Sequence, residues 1–132
     1  MKKLLFILVC SVMMFACGDA LQQQIEVAAQ LVNNSCPQKL NEQITLTSVQ
    51  AKPGLVLEYN ATLNNVLAKD LNLSESTMLQ LKQQMLDALK FDQQAYKMIQ
   101  NGVSYKYKYY DSTGQFAYEV TICQDDLKNI GN

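Results

Sequence analysis

The sequence predicts an α+β fold in the order α-β-β-α-α-β-β, with an antiparallel four-stranded sheet, helices on one face and one disulfide. Three observations predict this fold. Apolar residues recur at helical spacing up to residue 33 and again between residues 72 and 100. Two pairs of short runs alternate apolar and polar residues, and a turn signal joins the two runs of each pair. The 132 residues are enough for a single domain of this kind.

The first predicted elements are one helix and one hairpin. An apolar stripe over Leu21–Asn33 indicates the helix. Residues 43–49 alternate and are rich in β-branched side chains, so they predict a strand. The turn signal Lys52-Pro53-Gly54 then leads into a return strand over residues 55–63.

The middle of the chain predicts helices, and the last third predicts a second hairpin. The run Asn72–Thr77 is rich in capping residues and precedes a strongly amphipathic helix that extends to Lys90. The other predicted elements are a short helix over 64–70, a helix over 92–100, and strands over 103–110 and 116–122 with a turn at Asp111–Gly114 between them.

The alternation along the strands assigns side chains to the two faces of the predicted sheet, as in an antiparallel sheet with one wet face. The face toward the helices would carry Ile44, Leu46, Leu55, Leu57, Tyr59, Tyr105, Tyr107, Tyr109, Phe116, Tyr118, Val120 and Ile122. The wet face would supply a candidate partner surface, which consists of Thr45, Thr47, Lys106, Lys108, Tyr110 and Glu119. An alternative interpretation is a solvated ladder in which the two lysines face Glu58 and Glu119.

Four of the tyrosines form a stripe on the predicted hairpin: Tyr105, Tyr107, Tyr109 and Tyr118. We expect them to pack beneath the helices with their hydroxyls at the rim of the core. The alternative is an aromatic platform that binds a peptide or a glycan.

Residues 1–16 have the pattern of a secretory signal peptide, with Lys2 and Lys3 ahead of an apolar run that ends at Ala16. The run is too short to span a membrane. Two cleavage sites fit. Cleavage before Cys17 would follow the lipobox pattern of bacterial lipoproteins and leave Cys17 to be lipidated, although Phe15 stands where a small residue is usual. Cleavage after Ala20 would remove residues 1–20. On either route we expect a single α+β domain over residues 21–132.

Four cysteines bear on the predicted disulfide. Cys10 lies in the leader, and Cys17 is either lipidated or removed. Cys36 and Cys123 remain on both routes, and an oxidising compartment favours a bond between them. The alternative is a pair of buried free thiols. Two cysteines without histidine are too few for a metal site.

The composition excludes several classes of function. The sequence has no His, Arg or Trp, and the net charge is −1. Without histidine, the side chain best suited to proton transfer near neutral pH is missing. Nucleic-acid binding needs a basic surface that this chain lacks. We therefore expect no catalytic residues and no cofactor.

Several different short motifs lie along the chain after the leader. They are Asn33-Asn34-Ser35-Cys36-Pro37, Leu40-Asn41, Ile44–Val49, Leu57–Leu63 with its Tyr59-Asn60-Ala61-Thr62, Gly102-Val103, Tyr110–Gly114 and Cys123. In this combination the chain resembles a diffuse group of small exported bacterial proteins without an assigned activity. The resemblance implies export, a disulfide and a fold, and it supplies no catalytic residues.

The expected function is that of a non-catalytic interaction or accessory module in the bacterial periplasm or envelope. Its expected partner is an envelope protein, and its only expected contact with the membrane is an N-terminal lipid anchor on Cys17. The alternative is a secreted inhibitor of a hydrolase, by analogy with cystatins, which also lay a helix across an antiparallel sheet. The cystatin loop motif Gln-x-Val-x-Gly is not met, because Gln50-Ala51-Lys52-Pro53-Gly54 lacks the valine.

Overall fold

The computed structural model describes residues 17–129 of the chain. The predicted leader over residues 1–16 and the side chain of Cys17 lie outside this description. Three α-helices are present in the described part: α1 (Cys17–Asn33), α2 (Glu75–Leu89) and α3 (Gln93–Gln100). The strands are β1 (Gln38–Lys39), β2 (Ile44–Lys52), β3 (Val56–Leu63), β4 (Ser104–Tyr110) and β5 (Phe116–Ile122), with short 3-10 helices at Ala68–Asp70 and Gln124–Asn129.

The strands form one five-stranded sheet in the order β1-β2-β3-β4-β5. Neighbouring strands are antiparallel except β3 and β4, which are parallel. The predicted four-stranded antiparallel sheet is therefore wrong. The physical reason is that α2 and α3 separate β3 from β4 and carry the chain back to the same end of the sheet, as parallel pairing requires. The extra strand β1 has only two residues, too few to show an alternating pattern.

Two irregularities in register change which side chains face the helices. The β2–β3 register shifts between Leu46 and Ser48, so that Leu46 and Val49 are both buried although their numbers differ in parity. The β4–β5 register shifts so that Phe116 lies opposite Tyr110. The two rings are 5.9 Å apart, and Phe116 is 49% exposed. Phe116 therefore lies on the face opposite to the one that strict alternation predicts.

The core lies between the helices and one face of the sheet, here called the helix face. The other face is called the open face. The buried apolar cluster consists of Ile25, Ala29, Leu46, Val49, Leu57, Leu86, Leu89, Ala95, Ile99, Val103, Tyr105, Val120 and Ile122. Each large aliphatic side chain in such a cluster contributes about 1.5–3 kcal/mol through burial. Residues from all three helices are members, so the sheet binds every helix through this one face.

Helix α1 is fastened to β2 through amide side chains. The side-chain amide of Asn33 donates to the Val49 carbonyl and accepts from the Val49 N–H at 2.7 Å. At the other end of α1, the Gln22 amide donates to the Lys52 carbonyl and accepts from the Leu55 N–H, both at 3.0 Å. Since β1 pairs with β2 only as far as Leu46, the Asn33 amide takes the place of a missing edge strand at Val49.

The structure contradicts the predicted disulfide. Cys36 and Cys123 are both free thiols, and the Cys36 Sγ–H donates to the Val32 carbonyl at 3.4 Å. Cys36 precedes the edge strand β1, and Cys123 follows the opposite edge strand β5. Four strand spacings separate these edges, which is roughly 19 Å, whereas a disulfide needs its two Cα atoms within about 7 Å. The order of the strands thus places the two cysteines at opposite edges of the sheet.

The β4–β5 turn is locked by a buried aspartate. Asp111 is 2% exposed. One oxygen of its carboxylate accepts from the Thr113 N–H, the Thr113 hydroxyl and the Gln115 N–H, and the other accepts from the Ala68 N–H at 2.9 Å. Thr113, Ala68 and Gln115 hold the pKa of Asp111 at about 2, against an ordinary value of 3.8. The carboxylate therefore joins the hairpin turn to the segment that follows β3.

Candidate binding groove

An apolar groove of about 280 Å³ lies on the helix face of the sheet. Helix α1 ends at Asn33, which bonds the main chain of Val49, and the groove lies beside the part of β2 that precedes Val49. The residues that line it come from the β1–β2 loop and from strands β2, β3 and β4: Leu40, Ile44, Leu46, Tyr59, Ala61, Tyr107, Lys108 and Tyr109. We call it the tyrosine groove.

The floor of the groove is built by the parallel pairing of β3 with β4. The register places Tyr59 opposite Tyr107 and Ala61 opposite Tyr109. The rings of Tyr59 and Tyr107 are stacked, with centroids 5.1 Å apart and an interplanar angle of 16°. Tyr109 stacks in turn on Tyr118 of β5 at 4.7 Å. Alternating large and small side chains on the two strands leave a trough above Ala61.

The structure divides the tyrosine stripe between the core and the groove. Tyr105 is 7% exposed and packs in the core beneath the helices. Tyr107 and Tyr109 are only partly buried and line the groove. The sequence does not reveal Leu40, Ile44, Leu46 and Ala61 as groove residues, because nothing in the alternation shows where α1 stops covering β2. An exposed leucine in a polar loop, Leu40, is the one available signal.

The tyrosine hydroxyls of the groove are neutral hydrogen-bonding groups. Burial is the main cause that raises the pKa of Tyr59 and of Tyr107, and the negative charge of Asp92 raises both further. Burial and the neighbouring Tyr118 raise the pKa of Tyr109 to about 12. These hydroxyls consequently keep their protons at any physiological pH and can both donate and accept.

A wider depression lies between α1 and α3, with a volume of about 720 Å³. Three of the residues that line it are glutamines, Gln23, Gln24 and Gln94, beside the exposed Val27 and Leu31. The tyrosine groove is smaller, but apart from Lys108 its lining is apolar and aromatic, which is typical of binding sites in proteins. We therefore take the tyrosine groove as the candidate functional site.

The structure places the candidate partner surface mainly on the open face. The register sets Lys106 between Glu58 and Thr121, and Lys108 between Asn60 and Glu119. Thr45 lies opposite Thr62, and Tyr110 lies opposite both Thr62 and Phe116. Thr47 lies at the irregularity in β2, where its hydroxyl donates to the Asn60 carbonyl.

A charged cluster is embedded in this surface. The Glu58 carboxylate is 6% exposed and lies 2.8 Å from the Lys108 Nζ and 3.9 Å from the Lys52 Nζ. The hydrogen bond that Lys108 donates to the Glu58 carboxylate, and then the charge of Glu58, raise the pKa of Lys108. Of the predicted ladder of opposite charges, the described residues show one ion pair, the diagonal contact between Glu58 and Lys108.

Two further observations apply to residues 17–129 alone. Within that range, His, Cys, Asp and Glu side chains form no group of three or more that could hold a metal ion. None of the helices in the same range is long and apolar enough to cross a membrane.

Three solved structures share this fold. A candidate secreted protein from Pseudomonas aeruginosa matches with a TM-score of 0.67 and 16% identity, over 80% of this chain and 91% of that one. EpsS, a pilotin of the Vibrio vulnificus type II secretion system, matches with a TM-score of 0.63 and 12% identity, over 81% and 91% of the chains. AspS, a type II secretion system pilotin of Vibrio cholerae, matches with a TM-score of 0.60 and 17% identity, over 81% and 92%.

None of these three proteins is described as an inhibitor, so the alternative of a cystatin-like inhibitor of a hydrolase is not supported. No curated protein matches the chain. The family model that matches is described as a domain of unknown function, and it spans residues 20–118. That span is most of the chain, and the chain therefore belongs to the family of the domain of unknown function DUF8479.

Proposed function

We propose that the chain is an exported, non-catalytic accessory protein of the bacterial envelope, and that it holds an apolar polypeptide segment of an envelope protein in the tyrosine groove. The observation that carries the proposal is the groove itself. Apolar surface in such a groove that stays exposed to water costs a free energy of about 25 cal/mol for each Å². A partner that fills it gains this free energy on binding.

The paired strands of the groove favour a helical occupant. The strands under the groove, β2, β3 and β4, already have strand neighbours on both sides, so their main-chain groups are used within the sheet. A bound segment therefore finds apolar side chains and tyrosine hydroxyls but few main-chain partners. A segment that satisfies its own main-chain hydrogen bonds, as an amphipathic helix does, loses least on entering such a groove.

The comparisons support the accessory role and the envelope location at the level of the fold. Two of the three solved structures are pilotins of type II secretion systems, and the third is a candidate secreted protein. The sequence supports export through the leader over residues 1–16 and supports a lipid anchor on Cys17, with cleavage after Ala20 as the alternative. We propose the anchored form.

The chemistry of the groove supports a binding role rather than a catalytic one. Its lining has no carboxylate, thiol or aliphatic hydroxyl, and its tyrosine hydroxyls have raised pKa values. A raised pKa makes a phenol a poorer nucleophile and a poorer general acid at neutral pH.

Site-specific photo-crosslinking tests the proposal. A photoreactive phenylalanine replaces Leu40, which lines the groove and is 54% exposed, or Leu79, which lies on α2 outside the groove and is 62% exposed. Both positions tolerate a large side chain because both are exposed. We expect the Leu40 variant to capture an apolar segment of an envelope protein in the native host, and the Leu79 variant to capture none. Equal products from the two positions, or no product from Leu40, would contradict the groove as the binding site.

The open face of the sheet is a second candidate contact. Lys106, Lys108, Tyr110 and Glu119 present two cations, an aromatic ring and an anion on one surface. We propose it as a secondary surface for the same partner, since exposed charges add to the rate and the specificity of association more than to its strength.

A further inference from the structure

We infer that one side of helix α1 lies against the lipid bilayer when the chain is anchored through Cys17, and that the contact is made by Ala20, Gln24, Val27 and Leu31. We call these four residues the α1 stripe. The inference rests on the anchored form of the proposed function and adds to it the orientation of the domain. Helix α1 would then lie along the surface of the membrane.

Helix α1 carries apolar side chains on two faces, and packing against the sheet accounts for one of them. Ile25 and Ala29 are buried in the core. Val27 and Leu31, in contrast, are 55% and 64% exposed. The outward face of a surface helix is ordinarily polar, so the exposed apolar residues of α1 are not explained by the packing of residues 17–129.

The surface around the stripe is uncharged. All four residues line the depression of about 720 Å³ between α1 and α3. The other described residues of its lining are alanine, glutamine and methionine, and the exposed Glu26 of α1 is not among them. Such a surface can approach the acyl region of a bilayer without removing water from a charged group.

The stripe also follows the anchor along the helix. Positions 17, 20, 24, 27 and 31 succeed one another at alternating intervals of three and four residues, which is the spacing of one helix face. Lipoprotein cleavage would make Cys17 the first residue of the mature chain, so the stripe begins one turn after the lipid. It ends about 21 Å from Cys17 along the helix axis.

A bilayer fits this surface better than a protein partner does. A stable protein interface buries about 800 Å² on each side, which is several times the area of two aliphatic side chains. A bilayer needs no such area, because the lipid on Cys17 supplies the affinity and holds the stripe beside the membrane. The stripe then only has to orient the domain.

Photolabelling of lipid tests the inference. The full chain is produced with its leader, purified and reconstituted into vesicles of phosphatidylethanolamine and phosphatidylglycerol, and its intact mass reports the lipid on Cys17. A photoreactive phenylalanine replaces Leu31 in one variant. We expect this variant to gain the mass of a phospholipid on irradiation, because position 31 would face the acyl chains.

Two exposed positions serve as matched controls for the same photoreactive residue. Glu26 lies on α1 but outside the stripe, and Phe116 is 49% exposed on the open face of the sheet. We expect neither variant to gain phospholipid mass. Circular dichroism checks that all three variants are folded, which their exposure favours.

The outcomes separate the bilayer contact from the anchor. Phospholipid labelling at position 31 alone supports the inference. Equal labelling at position 31 and at either control overturns it, as does no labelling, a covalent dimer, or a link to the chain's own acyl groups at position 31. A mature chain without lipid overturns both the anchored form and this inference, while the tyrosine groove keeps its separate test at Leu40.

Discussion

Glu58 is a carboxylate buried on the open face of a sheet, and its environment decides how the surrounding lysines can be changed. Its two oxygens are held by Lys108 at 2.8 Å and by Lys52 at 3.9 Å. Lys106 lies directly opposite Glu58 in the register, yet it makes no ion pair with it. The two lysines of the candidate partner surface therefore differ in what they do for the fold.

Replacing these lysines one at a time should separate their roles. We expect Lys108→Met to lower the thermal midpoint by roughly 5 °C, because it removes the closer partner of a buried carboxylate. Lys106→Met should leave the midpoint within about 1–2 °C of the unaltered value, since Lys106 holds no buried charge. Thermal unfolding followed by circular dichroism measures both. Lys108→Met combined with Glu58→Gln should recover most of the loss, and an equal loss from the two single variants would refute the assignment.

At the scale of the element, the link between the β4–β5 turn and the segment after β3 depends on Asp111. We expect Asp111→Asn to lower the thermal midpoint at pH 7 by roughly 5–10 °C. The second carboxylate oxygen accepts a hydrogen bond from the Ala68 N–H, and in the variant an amide nitrogen, which cannot accept it, would take the place of that oxygen. The Ser112 N–H and hydroxyl both donate to the Val66 carbonyl at 3.0 Å and would have to hold the junction alone.

The same carboxylate makes the stability of the folded chain decrease in acid. The pKa of Asp111 is about 2 in the folded chain against 3.8 ordinarily, so its contribution is complete above about pH 4 and is lost as the pH falls toward 2. Thermal unfolding of the chain and of Asp111→Asn at pH 7, 4, 3 and 2 should therefore show a difference that shrinks with acid. Asp125→Asn, at an exposed position, should show no such trend. A constant difference between pH 7 and pH 2 would contradict the role of the ionised carboxylate.

The sequence predicts the elements of this fold better than their arrangement. Helical spacing and alternation locate α1, α2, α3, β4 and β5 to within a few residues, because both periods are local properties of the chain. Strand direction is not local. Alternation reports which side chains face the core, and it is the same for a parallel and an antiparallel neighbour. The two helices between β3 and β4 are the signal that could have indicated parallel pairing.

At the scale of the whole molecule, the candidate site and the separation of the two thiols follow from the order of the strands in the sheet. It brings Tyr59 beside Tyr107, two residues far apart in sequence, and so creates the stacked floor of the groove. It also places β1 and β5 at opposite edges, which keeps Cys36 away from Cys123. The sequence draws attention to both tyrosines and both cysteines. The contact between the tyrosines and the distance between the cysteines depend on the order of the strands, which no local sequence pattern indicates.

The start of α1 bears on how the whole domain would be held at a membrane. Helix α1 begins at Cys17, and its side chains reach the core by Leu21 and Ile25. A lipid on Cys17 would therefore be joined to the domain through one turn of helix rather than through a flexible linker. An anchored protein would be held close to the bilayer with restricted reach, which suits a partner that is itself embedded in the envelope.

Processing of the chain in its host tests this arrangement. We expect the mature protein to begin at a lipidated Cys17 and to enter the detergent phase on phase separation, because acyl chains supply about 0.8 kcal/mol for each buried CH₂ group. Cys17→Ser should abolish the added lipid mass and leave the folded domain unchanged, since the core of α1 begins at Leu21. Intact-mass measurement of both forms fixes the N-terminus and the lipid. A mature chain that starts at Leu21 without added mass would show that cleavage follows Ala20, and the domain would then lose the first turn of α1 and act as a soluble envelope protein.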